Sequence, residues 1–266
     1  MTDGVVDDSG RTIQSVEIAF AVIDALQETG SAGVTELAEL LDHSKSTIHS
    51  HLRTLEAQRI VVRDGDGYRL SLRILDMATH VRDQVGNYDV IREEVDALAA
   101  ETGEVAQFGI EEHGQLSYLY KQAGERAVET ASRVGTQQPM YATALGKTIL
   151  ASLPDDRACE IIQAQRFEAQ TPTTITSAEA LAAELDTIRE RGYGIDDEEN
   201  IEGLRCVAAP VTSDETVLGA VSVTGPASRV THDRIHDELA EEARRAANVI
   251  ELNTKFAKLG GSGRRK

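Results

Sequence analysis

Residues 34–70 read VTELAELLDHSKSTIHSHLRTLEAQRIVVRDGDGYRL, and this stretch decides the fold of the first part of the chain. Ser44 is a good helix cap, because its hydroxyl accepts a backbone N–H that the first helical turn leaves unpaired. Ile48, Leu52 and Leu55 follow at helical spacing, so one stripe of this helix is predicted to be buried. The opposite stripe is polar and free of acids, and it consists of Ser46, His49, Ser50 and Arg53.

The flanking segments complete a winged helix-turn-helix. Residues 16–26 predict a first helix that buries Val16, Ala19, Phe20, Ile23 and Leu26. Residues 34–41 predict a short second helix. Residues 60–70 predict two strands joined by a glycine-rich turn, which form the wing.

A flat polar helix face beside a wing is typical of proteins that insert this helix into the major groove of duplex DNA. We therefore predict that the polar face reads base edges through Ser46, Thr47, His49, Ser50 and Arg53. Three basic residues are predicted to hold phosphates, namely Lys45 in the helix and Arg63 and Arg69 in the wing.

The overall charge conflicts with DNA binding, but the local charge does not. The chain has 266 residues with a formal net charge of -18, from 45 acidic and 27 basic residues. Between Ser44 and Arg73 there are six basic and three acidic residues, which gives +3. Many acids, few lysines and no tryptophan indicate a protein from a halophilic archaeon. An ordinary acidic cytosolic protein is the alternative.

The chain length suggests two domains, and the composition suggests a cytoplasmic protein. Cys159 and Cys206 are the only cysteines, so no disulfide framework is expected and a reducing cytoplasm fits. No secretory signal and no apolar run of membrane-spanning length are present, so no membrane partner is expected.

Five segments are predicted along the chain. Residues 1–12 are predicted to be a disordered N-terminus, 13–70 the winged helix-turn-helix, 71–86 a linker helix, 87–257 an effector-binding domain and 258–266 a flexible tail. From residue 87 the helix and strand periods alternate, which predicts an α/β (α+β) domain with a mixed sheet. Residues 127–133 are a possible strand, and Thr176 with Glu179 predicts a capping box.

Four motifs give the chain a close resemblance to one known family. They are KSTIHSHLRTLE (45–56), YATALGKTILASLP (141–154), RGYGIDDEENIEGLRCVAAPV (191–211) and VLGAVSVTGPASRVT (217–231). The chain resembles the isocitrate-lyase-regulator (IclR) family of transcription factors from about residue 13 to residue 256. The resemblance implies a GAF-like effector domain after the linker helix. It also implies homodimers or tetramers that bind near-palindromic operators and a small metabolite, such as an organic acid or a sugar-derived molecule.

The resemblance also implies which residues contact the effector. Carried over by motif, they are Ala144, Leu145, Asp196, Leu204, Cys206, Ser222 and Thr224, with Thr130 as a looser match. The residue types agree with this role. Ala144 and Leu145 begin a helix, whose free N–H groups favour an anion. Ser222 and Thr224 stand two apart on one strand and therefore share a face.

Asp196 heads a run of four acids, and one inward carboxylate could accept a hydroxyl of the ligand or hold a metal. The other three acids are expected to form a solvated turn. The inward acid would repel a second carboxylate, which weakly favours a hydroxylated ligand.

Several other functions are weighed against this reading. Gly146-Lys147-Thr148 matches only the end of a phosphate-binding loop, and Lys147 is expected to meet solvent or an acid. A redox or metal signal at Cys206 and Asp196 is one alternative effector mechanism. A metabolite-binding enzyme or scaffold is another reading, although no catalytic motif supports it. No cofactor, metal or catalytic residue is predicted.

Overall fold

The structure is a computed structural model that describes residues 12–130, 132–214 and 216–261. These residues divide into two compact units, with the division after Gln84. Each unit has its own hydrophobic core. The predicted N-terminal disorder lies outside the described residues except at Thr12, and so do the last five residues of the predicted tail.

The first unit consists of four helices and a hairpin. They are α1 (Gln14–Thr29), α2 (Val34–Leu40), α3 (Lys45–Ala57), β1 (Val61–Asp64), β2 (Gly67–Leu70) and α4 (Arg73–Gln84). Ser44 caps α3 as predicted, because its hydroxyl accepts the Thr47 N–H at 3.1 Å. Ile48, Leu52 and Leu55 are buried in the core of the unit, which confirms the predicted apolar stripe.

The predicted buried face of the first helix is partly wrong. Leu26 is buried, but Val16 and Phe20 are 48% and 61% exposed. The stripe that packs into the core is formed by Val22, Ala25 and Leu26. The apolar spacing of α1 thus fits two faces, and only the packing of α2, α3 and the wing decides between them.

The linker helix forms within its predicted span, as α4, and none of its residues is buried. Leu75, Met77 and Val81 are between 49% and 62% exposed, and Leu72, just before the helix, is 75% exposed. An α-helix turns by about 100° per residue, so Leu75 lies nearly opposite Met77 and Val81, and these exposed side chains belong to more than one side of α4.

The second unit contains a six-stranded sheet and six helices of the described chain. The strands are β3 (Val105–Glu112), β4 (Gln115–Ala123), β5 (Gln137–Pro139), β6 (Gly194–Asp197), β7 (Leu204–Ser213) and β8 (Thr216–Pro226). The helices are α5 (Tyr88–Thr102), α6 (Ala144–Ser152), α7 (Asp155–Ala164), α8 (Ala178–Arg191), the single turn α9 (His232–Arg234) and α10 (Ala240–Gly261). A π-helical turn, Ile235–Leu239, joins α9 to α10.

The sheet has the order β5-β4-β3-β8-β7-β6. All its strand pairs are antiparallel, so the predicted mixed sheet is wrong although the α+β class is right. The strands β3–β4 and β7–β8 are joined by short turns, which allow only antiparallel pairing. Helices α5 and α10 cover one face of the sheet, and α6 packs on the other with α8 behind it.

Three local predictions also differ from the structure. The described residues between 127 and 133 form no strand, and Gln137–Pro139 pairs with β4 instead. Helix α8 is capped by Ser177, which accepts the Ala180 N–H at 3.1 Å, rather than by Thr176. Helix α10 continues through Gly261, into the predicted tail. None of the described helices combines the length and apolarity needed to cross a membrane.

Candidate functional site

The polar face of α3 is exposed, as the sequence predicted. Ser46, His49, Ser50 and Arg53 are all exposed, while the apolar stripe behind them is fully buried. Lys45 at the start of the helix is exposed as well. Neither Lys45 nor Arg53 forms an ion pair with any described residue, so both cations are free to meet phosphates or base edges.

The other residues that are predicted to contact DNA form some contacts within the protein. The Thr47 hydroxyl lies 2.8 Å from the Ser44 hydroxyl, and Thr47 is half-buried. Arg63 lies 3.4 Å from Glu56 and 5.4 Å from the ring centre of Tyr68. Arg69 donates to the Leu70 carbonyl at 3.1 Å. Arg63 and Arg69 nevertheless remain exposed at the wing. Their contacts within the protein are surface contacts, which a phosphate can replace.

The second unit holds a cavity of about 220 Å³ between its sheet and the start of α6. This volume is below the range of drug-sized pockets and suits a small metabolite. Seven of the eight predicted effector residues line it. The lining residues are Gln107, Tyr118, Thr130, Ser132, Gln138, Thr143, Ala144, Leu145, Gln170, Asp196, Asn200, Ile201, Leu204, Arg205, Cys206 and Thr224.

The first turn of α6 forms one wall of the cavity. Thr143 caps this helix, because its hydroxyl accepts the Gly146 N–H at 3.0 Å. The N–H groups of Ala144 and Leu145 precede the first hydrogen bond inside the helix, so they are left for another acceptor. Together with the positive end of the helix dipole, they favour a negatively charged ligand group at this wall.

Asp196 is the buried acid of the cavity. Its Oδ1 accepts the N–H groups of Glu199 at 2.7 Å and of Asn200 at 3.2 Å, which holds the turn between them. Its Oδ2 makes no hydrogen bond in the described part of the chain. Burial raises the pKa of Asp196 to about 7, although the nearby Lys147 ammonium opposes this rise.

Lys147 and Glu199 form a buried ion pair behind Asp196. Lys147 lies on α6 and donates to Glu199 Oε1, and both residues are buried. Lys147 therefore meets an acid rather than solvent. Glu199 was expected to be solvated and is not, because its backbone carbonyl is bound by the hydroxyls of Thr171 and Thr174. Glu199 Oε2 has no hydrogen-bond partner among the described residues.

A polar network closes the opposite side of the cavity. Gln107 donates to the Ser132 hydroxyl at 2.7 Å and accepts from Thr224 at 3.3 Å. Lys121 donates to the Thr130 hydroxyl at 2.7 Å and to the Ser132 carbonyl at 2.6 Å. This lysine therefore holds the segment that brings Thr130 to the cavity. These oxygens are neutral, so none of these contacts balances the positive charge of Lys121.

Cys206 is a free, buried thiol in the wall of the cavity. Its sulfur lies 3.0 Å from the Thr224 hydroxyl, whose single proton it shares with the Gln107 side-chain oxygen. Burial, with a smaller contribution from Asp196, raises the pKa of Cys206 to about 12. The thiolate is the reactive form of cysteine, and this environment suppresses it near neutral pH. The described residues contain no group of three or more histidines, cysteines or acids placed to hold a metal.

Ser222 is the predicted effector residue that the structure does not bring to the cavity. It shares a face of β8 with Thr224 but lies two register positions further along, opposite Ala208. The Ala208 carbonyl accepts the Thr148 hydroxyl of α6 at 3.3 Å, so α6 covers this part of the sheet. Ser222 is fully buried there, and its hydroxyl has no hydrogen-bond partner in the described chain.

Tyr118 is a cavity residue that the sequence did not reveal. A bulge interrupts the pairing of β3 with β4, since Gly109 pairs with Tyr118 whereas Phe108 pairs with Tyr120. A bulge re-aims side chains, and here Tyr118 faces the cavity side while Tyr120 packs on the opposite face. The Tyr118 hydroxyl makes no hydrogen bond with the described residues. Strand alternation alone would place both tyrosines on one face.

Both units match models of a single family of proteins. Residues 15–65 match the IclR helix-turn-helix domain, and residues 82–252 match the C-terminal domain of bacterial IclR transcriptional regulators. The chain belongs to the IclR family of transcriptional regulators. It is therefore a DNA-binding regulator of the IclR type, as the motifs predicted.

Individual relatives resemble the chain along nearly its whole length. A probable HTH-type transcriptional regulator from Halobacterium salinarum, ArcR, is 37% identical over 93% of this chain and 96% of that protein. The regulator KdgR of Escherichia coli is 32% identical over 90% of this chain and 92% of its own. The crystal structure of the Thermotoga maritima IclR matches with a TM-score of 0.77 and 27% identity, over 91% and 99% of the two chains.

The names of these relatives also bear on catalysis. ArcR and KdgR are both named as transcriptional regulators, and neither is named as an enzyme. This agrees with the prediction that the second unit is not catalytic.

Proposed function

We propose that this IclR-type regulator is switched by a small metabolite in the cavity of its second unit. It reads a near-palindromic operator as a homodimer or a homotetramer. The observation that carries the proposal is the cavity of the second unit, which combines the anion-favouring start of α6 with the buried Asp196 carboxyl. We place the protein in the cytoplasm, where its DNA is, and in a high-salt organism because of its -18 charge.

The exposed face of α3 supports the proposed operator contacts. Its short hydroxyl side chains and Arg53 can approach base edges closely. Arg53 forms no ion pair with a described acid, so it has none to break when it binds DNA. Lys45, Arg63 and Arg69 surround this face and supply positive charge for phosphates. Phosphate contacts position the protein, whereas base contacts give it specificity.

Exposed apolar side chains support the proposed oligomer. Leu72, Leu75, Met77 and Val81 are exposed at the linker helix. Ile13, Val16 and Phe20 are exposed at α1. In a symmetric homodimer, the same surface of a second copy would cover these side chains. No other protein would be needed to bury them.

The effector acts on this oligomer by preferring one arrangement of its copies. A bound metabolite needs to favour that arrangement by only a few kcal/mol to change operator affinity. The redox alternative at Cys206 is disfavoured by the raised pKa of this thiol. We therefore propose that a metabolite, rather than a redox signal, controls DNA binding.

The test is fluorescence anisotropy with a labelled duplex from the region upstream of the protein's own gene. We expect specific binding, and Arg53→Ala should weaken it by roughly 1–3 kcal/mol if Arg53 contacts a base. Arg244→Ala is the matched control, because Arg244 is an exposed arginine of α10 in the second unit. Unchanged affinity in Arg53→Ala would remove this residue from the reading surface. If the wild-type protein ignored the duplex, the alternative of a scaffold would be favoured.

A further inference from the structure

The linker helix α4 is attached to the rest of the first unit mainly through polar contacts at its start. No residue of α4 is buried, and Ile74 alone among them is half-buried. Packing therefore contributes little to the direction in which α4 leaves the unit. That direction depends on how the chain is held at the first turn of the helix.

The wing brings the start of α4 to the end of the reading helix α3. Val61 pairs with Leu70 in the hairpin, and the Ser71 N–H donates to the Ile60 carbonyl at 2.9 Å, which extends the pairing by one step. Ile60 stands just after the end of α3. The pairing therefore places Ser71 beside the last carbonyl groups of that helix.

Four residues form this contact, which we call the joint: Gln58, Arg59, Ser71 and Arg73. The Ser71 hydroxyl donates to the Arg59 carbonyl at 2.6 Å and accepts the Arg73 N–H at 3.0 Å, so one side chain binds both helix ends. The Arg73 guanidinium donates to the carbonyl of Gln58, the C-cap of α3. Carbonyl groups at the end of a helix carry partial negative charge, which favours an arginine there.

The backbone of Arg59 gives a second reason why the joint matters. Its φ of 61° is left-handed, a conformation that favours glycine, and the Ile60 N–H closes the helix end on the Leu55 carbonyl at 2.8 Å. A non-glycine residue keeps such a conformation where its surroundings hold it. Because Ser71 binds the Arg59 carbonyl, loss of this hydroxyl should loosen the end of α3 as well as the start of α4.

We propose that Ser71 and Arg73 are positioning residues that fix the angle between α3 and α4, and so set the spacing of the two half-sites of the operator. The inference rests on the proposed reading of a two-part operator by a dimer. The first unit is connected to the second through α4, so the angle at the joint decides where each α3 meets the duplex. Neither residue needs to contact DNA for this role.

The spacing of the half-sites is a sensitive measure of this angle. One turn of duplex has about 10 base pairs over about 34 Å, so two extra base pairs displace a half-site by roughly 7 Å and rotate it by roughly 70°. A rigid joint cannot follow such a displacement, whereas a loosened joint can. Loss of the joint should therefore widen the choice of spacings and leave the base sequence of each half-site unchanged.

The test is selection of bound duplexes from a random-sequence library by the full-length protein, followed by sequencing. The wild type should enrich paired half-sites at one spacing, with spacings two base pairs longer or shorter about tenfold rarer. Ser71→Ala and Arg73→Gln should each lower this preference about fivefold, which is the effect of one lost hydrogen bond. Ser71→Thr keeps the hydroxyl and should retain most of the preference.

The controls separate the joint from general damage. Arg92→Gln is matched to Arg73→Gln, because Arg92 is an exposed arginine of α5 in the second unit, and it should leave the preference unchanged. Arg73 is exposed, so Arg73→Gln tests the joint even if Ser71→Ala fails to fold.

Three outcomes would count against the inference. An unchanged spacing preference in Arg73→Gln and in folded Ser71→Ala would overturn it. A changed half-site sequence would overturn it as well, because the variants would then disturb the reading face itself. If the wild type enriched single half-sites without a partner, the proposed two-part operator would be wrong and the inference would fall with it, before any variant is compared.

Discussion

The buried carboxyl of Asp196 should make the second unit less stable as the pH rises. In the folded protein its pKa is about 7, whereas the ordinary value is 3.8. Above pH 4 the unfolded chain loses this proton while the folded chain keeps it, so the unfolded state is favoured. The loss grows until the pH passes 7 and then levels off. It amounts to about 4 kcal/mol in total, because each pKa unit corresponds to about 1.4 kcal/mol.

The variant Asp196→Asn removes the titrating carboxyl and keeps the buried hydrogen bonds. Its amide oxygen can still accept the N–H groups of Glu199 and Asn200. Between pH 5 and pH 8 the wild type should therefore lose about 2.5 kcal/mol relative to the variant. Lys147, Glu199, Cys206 and Tyr118 also surround this carboxyl, but they are present in both proteins.

The assay is urea unfolding followed by circular dichroism at several pH values. The transition of the second unit is compared between the wild type and Asp196→Asn. Asp186→Asn serves as the control, because Asp186 is an exposed acid of α8. If the wild type and Asp196→Asn showed the same pH dependence, the buried carboxyl would have an ordinary pKa and the reasoning would be refuted.

Three further predictions follow from the ion pair, the linker helix and the acidic composition. Lys147→Ala should cost about 3–5 kcal/mol of stability in urea unfolding, because it leaves the Glu199 charge buried and unpaired; replacing both with apolar residues should restore most of the loss. Leu75→Glu should reduce the mass measured by light scattering, and an unchanged mass would exclude α4 from the subunit interface. Specific operator binding should persist in molar KCl, since groove contacts depend less on salt than phosphate contacts do; dissociation of the still-folded protein would contradict this.

The sequence predicts a helix and its buried side well where the pattern is compatible with only one arrangement. Ser44 followed by Ile48, Leu52 and Leu55 fixes both the start and the buried side of α3, because capping and helical spacing agree. In α1 the same kind of spacing failed for Val16 and Phe20. Apolar residues occupy two faces of that helix, and the spacing does not show which face will pack against α2, α3 and the wing.

The cavity shows a second kind of limit. Seven of its residues were carried over from motifs, yet Tyr118 was missed because a bulge changes the side on which it lies. Ser222 lies outside the cavity, since a shared strand face does not tell how far α6 extends over it. Glu199 was taken for a solvated acid, since its partner Lys147 lies far away in the sequence. Each error concerns contacts between distant segments.

The first turn of α6 has a consequence for how such regulators diversify. The groups that it presents to the cavity are main-chain N–H groups, and no ordinary substitution of Ala144 or Leu145 deletes them. The amides of Gln138, Gln170 and Asn200, in contrast, each depend on a single codon. Under the proposed function, substitutions at these three positions would therefore change which metabolite fits, while the main-chain groups that favour its charged end would stay the same.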